Sequence, residues 1–200
     1  MPYDSHTDEE LAALVKKGDD EAFSALMGRS VDHIFNFVRQ YIPAKEDAED
    51  VVQDSFFKAW KHIRRFKRGR KWKPWLFTVA RNTALDHIKK KKAVSFSSLD
   101  QAEDSLSFAD TLEDAEPLPS DSFADAESAA LLKAPLAELP ADYQSVITLH
   151  YRDELTFEEI AEVLDKPMNT VKSWHRRALI KLRGIVDSRM NPSKQENAPK

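Results

Sequence analysis

Apolar residues recur at three- and four-residue spacing along most of this 200-residue chain, the repeat of an α-helix with one buried side. Thr7 and Glu10 form a capping box ahead of Leu11, Leu14 and Val15, and Gly18 closes that short helix. Asp19 or Asp20 caps a second helix, with Phe23, Leu26, Met27, Ile34, Phe37 and Val38 on one side and Pro43 as its stop. A third, from Ala44, carries a stripe of Ala48, Val51, Val52, Ser55, Phe56, Ala59, Trp60 and Ile63, which predicts burial for all of them. Asp47, Asp50, Gln53, Asp54, Lys58 and Lys61 are left to face elsewhere. After the loop "FKRGRKWK", which holds Trp72, Pro74 marks the first turn of a fourth helix. There Leu76, Ala80, Ala84 and Ile88 run beside Trp75, Val79, Asn82 and Asp86.

The helical repeat lapses over 93–125, where Ser, Asp, Glu and Pro predict a flexible acidic linker whose Phe and Leu residues could order against a partner. It returns from Ala126, with Pro135 expected to kink or break the first segment and Pro140 opening "ADYQSVITLHYRDEL". Thr156 and Glu159 make a second capping box, before a short helix that buries Ile160, Ala161 and Leu164. Asn169 is placed to cap the last helix, with Val171, Ala178, Leu179 and Leu182 inward and Lys172, Ser173, Arg176 and Arg177 outward. Two short helices about a tight turn, the second basic, predict a helix-turn-helix. No strand-like alternation of useful length appears, so the expected fold is all-α: a helical domain over 1–92, the linker over 93–125, a second helical domain over 126–189 and a disordered tail over 190–200.

Composition changes this picture through charge. The formal net charge is only -4, but the charges are segregated. From Phe56 to Lys92 there are fourteen Lys/Arg and one acid, Asp86; from Ala93 to Ser128 ten acids and no base; from Lys166 to Arg189 seven bases and one acid. Two basic blocks about an acidic spacer predict two surfaces facing a polyanion. The chain has no cysteine, which excludes disulfides, thiolate metal sites and cysteine nucleophiles and suits a reducing cytosol. No basic-then-apolar leader opens the sequence and no apolar run approaches a membrane span, so a cytoplasmic protein without membrane insertion is expected.

Candidate chemistry narrows to binding. The six histidines lack metal-ligand spacing, and with four glycines there is no Gly-rich phosphate loop; neither catalytic residues, a metal nor a cofactor is expected. Asp47, Asp50 and Asp54 lie along one helix face without a partner cluster and read as a protein-binding or solvated face. The segment "KWKPWLFTVARNTALDHIKKKK" couples cations with aromatics, the combination that neutralises phosphates and stacks on unpaired bases. Trp72, in the loop, is the aromatic expected to be exposed. On the last helix, Lys172, Ser173, Arg176 and Arg177 hold the positions from which a recognition helix reaches base edges and phosphates.

The stretches "AEDVVQDSFFKAWKHIRRF", "KPWLFTVARNTALDHIKKK" and "LPADYQSVITLHYRDELTFEEIAEVLDKPMNTVKSWHRRALIKLR", in that order, closely resemble bacterial RNA polymerase sigma factors of the sigma-70 family. The two-domain length resembles the extracytoplasmic function (ECF) group, which has regions 2 and 4 only. The resemblance implies a transcription initiation factor that binds core RNA polymerase and directs it to promoter DNA. It places Asp50, Gln53 and Asp54 on the surface that docks onto the polymerase clamp helices. It assigns the −10 element to the loop Phe66, Lys67, Arg68, Arg70, Lys71 and Trp72, which captures a flipped base, with Trp75, Arg81, Asn82 and the lysines at 89–92 flanking melted DNA. It assigns the −35 element to Lys172, Ser173, Arg176 and Arg177. An anti-sigma factor is a common partner in the family, though nothing in this chain identifies one. The chain departs from the family at Trp174 and His175, where a basic and then an apolar residue are usual, and at Pro135, inside a helix that is usually continuous. The competing reading is a stand-alone helix-turn-helix regulator, which accounts for the last helix but not for the basic, Trp-bearing first domain; an all-α hydrolase or metal protein is more distant.

Overall fold

The computed structural model describes residues 3–67, 69–96, 132 and 134–190. Its regular structure is helical: α1 (Asp8–Val15), α2 (Asp20–Tyr41), α3 (Lys45–His62), a 3-10 turn (Ile63–Arg65), α4 (Trp72–Phe96), α5 (Ala141–Tyr151), α6 (Phe157–Leu164) and α7 (Met168–Met190). The first four helices form one lobe and the last three a second.

Local chemistry sets the starts and stops. The Thr7 hydroxyl accepts from the Glu10 N–H at 3.2 Å while Glu10 accepts from the Thr7 N–H at 2.8 Å, so two orphan amides at the start of α1 are satisfied. Gly18 reverses the chain at φ +97°, a conformation glycine adopts without a Cβ penalty, and Asp19 then caps α2 by accepting from the Ala22 N–H at 3.0 Å. The second box repeats the device: Thr156 accepts from the Glu159 N–H at 3.3 Å and Glu159 from the Thr156 N–H at 2.8 Å. Replacing Thr156 by Ala removes one half of that box and is expected to cost about 1 kcal/mol, read as a lower urea midpoint at unchanged slope.

Several expectations change. α4 begins at Trp72 rather than after it and continues to Phe96, past the boundary expected at 92. α7 begins at Met168, where the Pro167 carbonyl accepts from the Thr170 and Val171 amides, so Asn169 lies inside the first turn instead of capping it. Pro135 sits in a short helical turn at 134–137. The linker expected over 93–125 falls, from residue 97 onward, outside the described residues, as does the tail from 191.

The first lobe closes around Leu11, Leu26, Phe37, Val51, Phe56, Trp72, Leu76 and Phe77, all buried. The same apolar cluster continues into the second lobe through Val146, Leu149, Ile160, Val163 and Val171, so the lobes share a core. Around it runs a polar seam. Gln40 donates to the Thr148 hydroxyl at 2.9 Å and accepts from Ser145 at 2.8 Å; the Tyr41 and Ser145 hydroxyls meet at 2.9 Å; His33 bonds the buried Asp153 carboxylate. Burial pushes the Tyr41 phenol up to about 12 against the opposing pull of Ser145, so it stays a neutral hydrogen-bonding group.

Candidate nucleic-acid interface

The loop after the 3-10 turn is held from below by aromatics. Phe66 is 4% exposed and Trp72 fully buried; their ring centroids lie 5.7 Å apart at 83°, and both meet Trp75, at 5.4 and 5.2 Å. Edge-to-face pairing of this kind adds to plain area burial. The first helix braces the same point: Glu9 accepts from the Trp72 amide at 3.0 Å, and Lys16 donates to the Phe66 carbonyl while its ammonium sits 5.3 Å from the Phe66 ring centroid. The expectation of an exposed Trp72 is therefore corrected. With cations on both sides it reads as loop, but its indole completes the core, and Phe66 is likewise a floor beneath the loop rather than a surface ring.

What the loop presents is cationic. Lys67, Arg70 and Lys71 are exposed, Gly69 turns the chain at φ +85°, and Arg68 lies outside the described residues. Along α4, Trp75 and Arg81 are half-buried and Asn82 is exposed. Lys89, Lys90 and Lys92 project from its far end, while Lys91 pairs with Asp47 at 2.6 Å. That hydrogen bond from Lys91 holds the Asp47 carboxyl below its ordinary value and takes it out of the acidic stack.

On α7, Val171, Ala178 and Leu182 point inward while Lys172 and Ser173 are exposed and Arg176 and Arg177 half-exposed. The Ser173 hydroxyl donates to the Asn169 carbonyl at 2.9 Å. Trp174 packs on the shared core, 6.3 Å from the Tyr143 ring. His175 stacks on Tyr151 at 5.6 Å, and its Nε2 lies 3.2 Å from the Tyr151 hydroxyl. Burial, with a smaller contribution from His150, lowers the His175 imidazole to about 4. It is therefore neutral at neutral pH and leaves the positive field of this helix to the lysines and arginines.

On α3, Asp50, Gln53 and Asp54 are exposed together, and two aromatics extend their face: Phe57 is 59% exposed and Trp60 46%, with ring centroids 6.3 Å apart. Trp60 was expected inside the stripe and lies outside it; Phe57 was missed, although it follows Asp50, Gln53 and Asp54 by seven, four and three residues, the spacing of one helix face. Two large aromatics left this exposed beside carboxylates form an apolar-edged acidic patch that no part of the described residues covers. Among the described residues there is no cluster of three or more metal-ligating side chains, and no helix is long and apolar enough to cross a membrane.

The pattern of Sigma-70 region 2 matches residues 26–94, and that of Sigma-70, region 4 matches residues 130–182. The chain belongs to the sigma-70 family. This sigma factor is 33% identical over 171 residues to the ECF RNA polymerase sigma factor SigW of Bacillus subtilis, across 84% of this chain and 91% of that protein. It is 31% identical over 192 residues to the ECF RNA polymerase sigma-E factor of Escherichia coli K12, across 93% and 95%. Its fold matches the sigma factor RpoE solved in complex with the anti-sigma factor NepR from Bartonella quintana, with TM-score 0.61 and 24% identity over 82% of this chain and 96% of that one. The sigma factor is a transcription initiation factor of the ECF group that directs polymerase to promoters. Its region 2 match runs from within α2 through α3 to near the end of α4, and its region 4 match covers α5, α6 and the first part of α7.

Proposed function

We propose a division of labour among three surfaces of this sigma factor. Asp50, Gln53 and Asp54, extended by Phe57 and Trp60, dock onto a basic, apolar-edged surface of core RNA polymerase. Lys67, Arg70 and Lys71 with Arg81 and Asn82 receive the melted −10 strand, carried on the floor of Phe66, Trp72 and Trp75. Lys172, Ser173, Arg176 and Arg177 read the −35 duplex. The observation that carries this reading is the exposure of the acidic-aromatic face on α3, separate from the cationic loop and from the basic side of α7: a stand-alone regulator has no use for it. The protein carries no reaction of its own, since bond making belongs to polymerase, and it works in the cytoplasm where polymerase is. An anti-sigma partner fits the same reading.

The test is co-purification with bacterial core polymerase, followed by transcription from a library of promoter-like templates. Binding with selective transcription supports the assignment; duplex binding without polymerase binding would favour the stand-alone regulator. For region 4, Lys172→Ala and Arg176→Ala are each expected to weaken binding of the holoenzyme to its cognate −35 duplex by about 1–3 kcal/mol. An equal loss on unrelated duplexes would reduce them to phosphate contacts.

A further inference from the structure

Trp174 and His175, the two residues at which α7 departs from the family pattern, are also two that grip α5. Trp174 meets the ring of Tyr143, near the start of α5, at 6.3 Å. His175 reaches Tyr151, the last residue of α5: their rings stack 5.6 Å apart, and Nε2 lies 3.2 Å from the hydroxyl. Tyr143 and Tyr151 are eight residues apart, about 12 Å along a helix at 1.5 Å per residue. Consecutive residues of α7 therefore hold α5 at two separated points, and rolling α7 about its own axis disturbs both. A third helix completes the junction. Phe157, the first residue of α6, lies 5.1 Å from the His175 ring and stacks on His150 at 4.6 Å. The His150 Nδ1–H donates to the Leu155 carbonyl at 3.0 Å, which ties the turn between α5 and α6 to the same rings. An apolar residue at 175 could fill this space, since packing asks only for volume and shape; a hydrogen bond fixes a distance and a direction as well.

Resting on the −35 assignment above, we propose that His175 is a positioning residue for sequence readout: its bond with the Tyr151 hydroxyl fixes the roll of α7, and with it the base edges that Lys172 and Arg176 meet. Lys172 and Arg176 are four residues apart and share a helix face, and His175 directly precedes Arg176. His175 is turned onto α5 and α6, so it acts through these neighbours. The lever is short but sufficient. At about 5–6 Å from a helix axis, a roll of about 15° carries a side-chain end by about 1.5 Å. That exceeds the whole spread of donor–acceptor distances in a good hydrogen bond, about 2.7–3.2 Å. Base-edge contacts, which carry the sequence information, are lost by such a shift, whereas a long cationic side chain can follow a phosphate. Because the His175 imidazole is neutral at neutral pH, its bond adds nothing to the phosphate-binding field. It bears on which sequence is read rather than on how tightly DNA is held.

The test uses holoenzyme assembled from core polymerase and the full chain. It is equilibrated with a pool of duplexes randomised over the −35 region, the bound fraction is sequenced, and the most enriched duplex and its single-base variants are titrated at two salt concentrations. Three variants divide the possibilities. Tyr151→Phe removes one oxygen and keeps the ring; His175→Leu supplies an apolar residue, as is usual in the family; His175→Gln keeps a hydrogen-bonding nitrogen at the reach of Nε2. Tyr151→Phe and His175→Leu are each expected to lower discrimination between the enriched duplex and its single-base variants at least about threefold, and their combination to lower it no further. His175→Gln should stay within about twofold of the unaltered chain, and the dependence of affinity on salt should be the same for all. Discrimination retained by Tyr151→Phe overturns the proposal. A loss of affinity equal on every duplex also overturns it, because that is what a merely structural role produces. Arg176→Ala separates the two layers. If it lowers discrimination while Tyr151→Phe and His175→Leu do not, the −35 surface stands and the positioning role is wrong; if it weakens all duplexes equally, the base-reading assignment fails and the positioning role with it.

Discussion

Asp54→Arg is expected to abolish assembly with core polymerase while leaving the fold intact. Asp54 is exposed on α3 beside Asp50, Gln53, Phe57 and Trp60, so the substitution disturbs no packing and the urea midpoint should stay close to that of the unaltered chain. On the docking face, however, it exchanges attraction for like-charge repulsion at a surface assigned to a basic partner. Juxtaposed like charges at an interface cost several kcal/mol, and a loss of about 3 kcal/mol is already more than a hundredfold in affinity. Titration of labelled core polymerase with wild-type and variant chains measures it directly; a variant that still assembles at the wild-type concentration would remove Asp54 from the interface. Lys172→Ala serves as the counter-control, since it alters the helix proposed to read the −35 duplex and should leave assembly untouched.

Trp72→Ala and Trp60→Ala should behave as opposites, although both replace the same residue type. Trp72 is fully buried against Phe66 and Trp75, with its amide tied to Glu9, and truncating it opens a void where α1, the loop and α4 meet. A buried Trp→Ala change costs about 3–5 kcal/mol, a large part of the stability of a domain this size, so urea unfolding should begin at markedly lower denaturant. Trp60, 46% exposed, should shift the unfolding midpoint little and instead lower affinity for polymerase, as loss of an interface aromatic does. If Trp72→Ala proves as stable as Trp60→Ala, the aromatic floor beneath the −10 loop is misassigned.

Much of the fold was legible because its signals are local. Both capping boxes, the Asp19 cap, the Gly18 reversal and the inward row of α7 depend on residues within a few positions of one another, and the structure forms each of them, except that in the expected row of Val171, Ala178, Leu179 and Leu182 the third, Leu179, is only partly buried. The exchanged environments of Trp60 and Trp72 show where such reading stops. Trp60 follows Ala59 at the edge of the α3 stripe, and which side an edge residue takes is decided by what packs there. Trp72 has a lysine on either side, which reads as loop, yet Trp72, Leu76 and Ala80 are four residues apart on the buried side of α4. The pairing of Arg70 and Lys71 with Glu162 and Glu159 had no local signal, because the partners lie about ninety residues apart and meet only once both lobes have folded. On the site, the charge blocks pointed to the cationic loop and to α7, and Phe57 could have been added from helical spacing alone.

The unbroken course of α4 fixes a distance. Trp72 stands at its start and Lys91 near its end; nineteen residues of α-helix at 1.5 Å each make a rod of about 28 Å. At 3.4 Å per nucleotide along a stacked strand, that span is about eight steps. The cationic loop that leads into α4 and the lysines at its far end therefore cannot slide relative to each other: α4 acts as a ruler, and on the proposed −10 surface a strand opened over fewer steps than the rod spans would reach one end and not the other.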